Sequence, residues 1–122
     1  MRPVEIKPGV YWVGAIDWNL RDFHGYSKTS QGTTYNAYLV VDDTITLFDC
    51  VDAKYKDELL CQIAQVVDPG QIDTLVVNHV EPDHSGCLPS VVEAAKPRRI
   101  LTSKMGEKFI QGRFHPENWP IE

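Results

Sequence analysis

The feature that most constrains this chain is a nearly continuous apolar run, Ile72 to Val77, ending on a cluster of ionisable residues. A strand of that composition suits a place covered on both faces, as in a parallel or mixed sheet between helix layers. The flanking segments fit such a sheet. Upstream, Tyr55, Leu59, Ile63 and Val67 recur at steps of four, so Lys54 to Val67 reads as one helix with a single apolar face. Asp52 is placed to cap it, and Asp68-Pro69-Gly70 stops it. Downstream, Leu88, Val91, Val92 and Ala95 mark a helix from Cys87 to Ala95 that Pro97 closes. A strand at Arg99 to Thr102 and a helix at Ser103 to Gln111, capped by Ser103, follow.

The first fifty residues read differently. Val10 to Ala15 is a strand, with a weaker one near Val4 to Ile6. Tyr35 to Val41 and Thr44 to Phe48 flank Asp42-Asp43 as two strands joined by a tight turn. Between them, residues 16 to 34 form a long polar and aromatic segment without regular period, a kind of stretch that is often functional. A β-rich start followed by strand–helix alternation places the chain in the α/β class.

Composition narrows the partners. Twelve Lys and Arg against 17 Asp and Glu give a net charge of -5 over 122 residues, which speaks against nucleic acid and anionic membrane surfaces. No apolar run approaches the roughly 18 to 20 residues that span a bilayer, and the first residues lack a signal peptide's apolar stretch. The three cysteines, Cys50, Cys61 and Cys87, are an odd number without CxxC spacing. The expected setting is therefore reducing and cytoplasmic. Cys87 reads as a small apolar-like residue opening a helix.

The chemistry sits directly after the apolar run, in Asn78-His79-Val80-Glu81-Pro82-Asp83-His84-Ser85-Gly86. Two imidazoles and two carboxylates lie at the carboxyl end of a strand and before a helix, where α/β folds place their sites. In an extended chain residues 79, 81 and 83 point to one side, each step of two covering roughly 6.6 Å. Donors sharing one ion must lie within about 3 to 4 Å of each other. Either the backbone curls after Glu81, helped by Pro82, or the residues serve two ions. Two carboxylates brought to about 4 Å repel by roughly 4 kcal/mol at an effective dielectric of 20. Two cations about 3.5 to 4 Å apart remove that conflict, so a dinuclear site is the preferred reading. Mixed imidazole and carboxylate donors fit zinc, iron or manganese, with a tilt toward the last two. Asp83 alone could instead cap the following helix.

HxHxDH after a strand is the signature of the metallo-β-lactamase-like fold, and His79-x-Glu81-x-Asp83-His84 resembles its variant with Glu in the second His place. The chain resembles the flavodiiron proteins, also called A-type flavoproteins or rubredoxin:oxygen oxidoreductases. The likeness extends over Val13 to Asn19, Arg21 to Tyr26 and Gly32 to Leu39. The resemblance implies reduction of O2 to water, or of NO to N2O, at a non-haem diiron centre. By motif position His79 and Glu81 would bind one iron, and Asp83 and His84 the other. His24 and Tyr26 match a segment lining the pocket above the irons. A rubredoxin-like donor, FMN on a flavodoxin-like domain and a head-to-tail homodimer are implied for the complete protein.

The family draws further histidines and a bridging aspartate from later in the same domain, and two ions with five or six sites each need more than four protein ligands. Residues 1–122 are therefore expected to be the N-terminal portion, about the first half, of an αββα sandwich. The flavodoxin-like domain is absent from them, and the isolated chain is expected to be inactive. A zinc-dependent hydrolase on the same fold is the alternative, and a non-catalytic fragment a third reading. A half sandwich would also expose apolar faces and dimerise or dissolve poorly.

Overall fold

The computed structural model describes residues 2–19, 22–23, 27–28 and 32–122. Among these residues, ten short strands and four α-helices follow in chain order. The strands are β1 (Val4–Lys7), β2 (Val10–Trp12), β3 (Ala15–Asp17), β4 (Asp22–Phe23), β5 (Ser27–Lys28), β6 (Thr33–Tyr35), β7 (Tyr38–Val41), β8 (Ile45–Phe48), β9 (Thr74–Val76) and β10 (Arg99–Leu101). The helices are α1 (Lys56–Ala64), α2 (Pro82–Ser85), α3 (Leu88–Ala95) and α4 (Lys104–Phe114). Six strands form one mixed sheet in the order β1-β2-β7-β8-β9-β10. The first four pair antiparallel, and β8, β9 and β10 run parallel. The α/β class is therefore the observed one.

Register explains why the sheet has one dry face. Tyr11, Leu39, Leu47, Leu75 and Ile100 stand opposite one another across five strands. The last four of these are fully buried, in one cluster with Leu59 and Ile63 of α1, Leu88 and Val91 of α3, and Ile110 of α4. One position along, Trp12, Tyr38, Phe48, Val76 and Leu101 form the next row. Because side chains alternate between faces, this row points away from the helices. Phe48 is 37% exposed and the other four are half-buried. Among the described residues, then, β9 is fully covered on its Leu75 face and partly on the other, where Thr74 is buried and Val76 half-buried. The row as a whole is apolar and only half-covered, with Phe48 its most exposed member.

The segment expected to be irregular contains two small antiparallel ladders, β3 with β6 and β4 with β5. Strands of two or three residues are too short to show a period in sequence. The strands predicted at Val10 to Ala15 and Tyr35 to Val41 each break in two, because both chains bend together from the large sheet into the small one. Gly14 sits at that bend against the Tyr35 carbonyl, leaving no room for a Cβ. Gln62, buried on α1, donates from Nε2 to the carbonyls of Val13, at 3.2 Å, and Gly14, holding the bend. Asp52 caps a single 3-10 turn, Ala53–Tyr55, rather than α1 itself, and α1 ends at Ala64. Ser103 caps α4 as predicted, accepting from the Gly106 N–H at 3.0 Å. Cys87 is buried just before α3, its thiol beside that of Cys50. No helix among the described residues is long and apolar enough to cross a membrane.

The two rows make opposite predictions. Leu47→Ala should cost about 2–5 kcal/mol in urea unfolding, since it opens a cavity in the helix-covered core. Phe48→Lys should change stability by less than about 0.5 kcal/mol. Residues 1–122 should self-associate in analytical ultracentrifugation through the half-covered row, and Phe48→Lys should shift them toward monomer.

Candidate metal centre

β9 ends at Val76, and the main chain leaves the sheet with its last bonds made toward β10. The Val77 N–H donates to the Leu101 carbonyl at 2.8 Å, and the Thr102 hydroxyl donates to the Val77 carbonyl at 3.0 Å. The next two N–H groups would be orphaned, and a carboxylate takes them. Asp49 Oδ1 accepts from the N–H groups of Asn78 at 2.8 Å and His79 at 3.0 Å. Asp49 follows β8, the parallel neighbour of β9, and adopts φ 64°, a left-handed conformation that Asp tolerates better than most residues. Burial pushes its carboxyl up from the ordinary range, and these two N–H groups offset only part of that rise. Sequence reasoning missed Asp49. Its signal was available, an acidic residue closing a strand next to the ligand-bearing one.

The backbone curls directly after Glu81, one of the two outcomes the spacing left open. Pro82 opens α2, and Glu81 takes the capping position in extended conformation. Ser85 Oγ donates back to the carbonyls of Val80 at 2.6 Å and Glu81 at 3.1 Å, and the His84 N–H donates to the Glu81 carbonyl at 2.8 Å. Asp83 lies inside this turn and does not cap α3. The Cys50 N–H donates to the His84 carbonyl at 2.9 Å, tying α2 to the end of β8.

This curl gathers the predicted side chains. One donor atom each from His79, Glu81 and Asp83 lies within 4.8 Å of the others. His79 Nε2 is 3.8 Å from Glu81 Oε2, and His84 Nε2 is 3.4 Å from Asp83 Oδ2. The two imidazoles meet edge to face with centroids 5.1 Å apart. The pairs differ in setting: the His79 and Glu81 side chains are 47% and 48% exposed, those of Asp83 and His84 12% and 19%. Asp83 Oδ1 and His84 Nδ1 are buried without a hydrogen-bond partner. Each such atom costs about 1–3 kcal/mol unless something meets it. An open cavity of about 460 Å³ adjoins His79, lined also by Val80, Met105 and Phe109. His24 and Tyr26 lie outside the described residues.

The chain is similar to several known proteins. The sequence pattern described as ODP family beta lactamase matches residues 33–119. A rubredoxin-oxygen oxidoreductase of Megalodesulfovibrio gigas is 54% identical over 122 residues, which is 100% of this chain and 30% of that protein. A nitric oxide reductase of Moorella thermoacetica is 48% identical over 114 residues, 93% of this chain and 29% of its own length. The solved structure of rubredoxin oxygen:oxidoreductase from the anaerobe Desulfovibrio gigas superposes with a TM-score of 0.96 at 54% identity, covering 99% of this chain and 30% of that one. The chain thus spans about 30% of the length of the relatives it matches.

The Asp49 grip is separable from the charge it carries. Asp49→Ala strands two N–H groups and should cost about 2–6 kcal/mol in urea unfolding, summing two unmade bonds. Asp49→Asn keeps an acceptor oxygen and tolerates the same φ, and should retain at least half of the lost stability.

Proposed function

Because the chain belongs to the ODP β-lactamase family, with a metallo-β-lactamase-like fold and the N-terminal sequence of flavodiiron proteins, we propose that it supplies part of a non-haem diiron centre. The complete oxidoreductase would reduce O2 to water or NO to N2O. The observation that carries this is the pairing of donors. His79 with Glu81 and Asp83 with His84 stand 3.8 and 3.4 Å apart. Ligands at bonds of about 2.0–2.2 Å to one ion sit at roughly such separations. The unpartnered Asp83 Oδ1 and His84 Nδ1 add buried polar atoms for a cation shell to satisfy. In this reading His79 and Glu81 hold one iron, and Asp83 and His84 the other. Bound iron supplies one-electron exchange and open coordination positions for a diatomic gas.

The protein's own groups do the positioning. Asp49 fixes the main chain at His79, Ser85 holds the curl that turns Asp83 and His84 inward, and Pro82 stops the strand from pairing past Glu81. Four protein ligands leave two ions under-coordinated, so residues 1–122 by themselves are inactive and the remaining ligands come from elsewhere. The named relatives support a rubredoxin-like electron donor and O2 or NO as substrate. The flavodiiron likeness supports FMN on a flavodoxin-like domain, which residues 1–122 do not supply, and a head-to-tail homodimer. His24 and Tyr26 belong to the pocket in the same reading. Three free cysteines support a reducing, cytoplasmic setting.

Metal analysis of the chain joined to a relative's remaining sequence tests this. The expected result is about two irons per polypeptide and consumption of O2 or NO with a reduced donor. His79→Ala or Asp83→Ala should lower iron affinity by more than the roughly 10- to 100-fold typical of changes outside the ligand shell. Two zinc ions without iron would replace the reading with a hydrolase.

A further inference from the structure

A second polar cluster lies away from the candidate ligands and has no part in the reading above. Asp17, the last residue of β3, is buried, its side chain 2% exposed. Its Oδ2 accepts from the Tyr35 hydroxyl at 3.0 Å and meets Lys54 Nζ at 2.7 Å, while Oδ1 accepts from the Asn19 N–H at 3.2 Å. Burial opposes the charge on Asp17, but Lys54 and Tyr35 outweigh it and hold the carboxyl below its ordinary range. Burial and the same carboxylate push the Tyr35 phenol up, so it stays a donor.

The cluster is a crossing point. Asp17 and Tyr35 belong to the paired strands β3 and β6, from which the segment carrying His24 and Tyr26 departs. Lys54 belongs to the Ala53–Tyr55 turn. That turn begins three residues after Cys50 and is the surface on which α2 rests. A Cβ on Gly86 would come within 2.7 Å of the Ala53 nitrogen, so the two backbones are in direct contact. The Tyr35 and Tyr55 rings close the cluster with centroids 5.8 Å apart.

We propose that Asp17 is a positioning residue: its ion pair with Lys54 clamps the Ala53–Tyr55 turn to the β3–β6 ladder and thereby holds α2, with Asp83 and His84, in place. The pair crosses between elements distant in sequence, and Tyr55 of the same turn adds a neutral hydroxyl close to the Asp17 carboxylate, so Lys54 supplies the charge of this link. Lys54 itself is 55% exposed, so its own burial contributes little. The strength lies at the other end, where removing Lys54 leaves a buried carboxylate uncompensated. Relevance to a metal centre rests on the function proposed above; the mechanical link does not.

Amide hydrogen exchange on residues 1–122 without metal separates the two. The reporters are the N–H groups of His84, Gly86 and Cys50, which donate to Glu81, Pro82 and His84 carbonyls. Lys54→Met should speed their exchange about tenfold or more through local opening, while the β9–β10 ladder amides keep their rates. Lys54→Arg, which restores the charge, should return all rates to within about twofold of the parent. Unchanged rates at the three reporters in Lys54→Met would overturn the proposal. So would an equal acceleration in β9, which would mean general destabilisation. Asp17→Asn gives a second measurement, with the same pattern expected. Since no metal is present, a failure of the iron reading leaves this result standing, and the reverse also holds.

Discussion

Everything at the centre depends on two N–H groups that have run out of sheet. Past Val77 the ladder to β10 ends, and the N–H groups of Asn78 and His79 have no strand left to pair with. Asp49 takes both with one oxygen. That bifurcated grip lets β9 stop abruptly and lets the chain turn within two residues, which no longer strand pairing would allow. Without it, the spacing of His79, Glu81 and Asp83 would be that of an extended strand, about 6.6 Å per step. With it, their donors come within 4.8 Å. Asp49 occupies a left-handed conformation to do so, and the strain sits where a strand meets the candidate site.

Much of this was written in local sequence. The helix at Leu88 to Ala95, the Ser103 cap and the ligand cluster after the apolar run are readable because each is a short-range pattern with its own chemistry. Pro82 and the metal-ligand distance limit left the curl as one of two outcomes, beside a pair of ions. What sequence did not carry is of two kinds. The ladders β3–β6 and β4–β5 have too few residues to show a period, and pair across a gap no local signal announces. Asp49 and Asp17 look like ordinary acidic residues in sequence; their roles are long-range, 29 and 37 residues from His-loop and lysine partners. The reading of β9 as covered on both faces holds fully for the Leu75 side and in part for the other, where Thr74 is buried and Val76 half-buried.

That half-covered row bears on the site as well. It crosses the same strands, β8, β9 and β10, whose carboxyl ends carry Asp49, His79 and Thr102. A layer packed on Phe48, Val76 and Leu101 would therefore reach the strand ends from the side opposite α1, α3 and α4. The helix side supplies Asp83 and His84 through α2, and the opposite side has supplied nothing among the described residues.

The exposure of the four candidate ligands follows from this arrangement. Asp83 and His84, on the short helix that rests against the Ala53–Tyr55 turn, are 12% and 19% exposed and carry the unpartnered buried atoms. His79 and Glu81, on the extended stretch before it, are 47% and 48% exposed and face open space. A carboxylate and an imidazole half in water gain little from holding an ion there, because solvent competes for both. Burying them would raise the electrostatic attraction of a cation several-fold, as the effective dielectric falls from that of water toward about 20. The candidate pair that α2 encloses is thus preorganised by this chain's own packing, whereas the pair at His79 and Glu81 stands half in solvent.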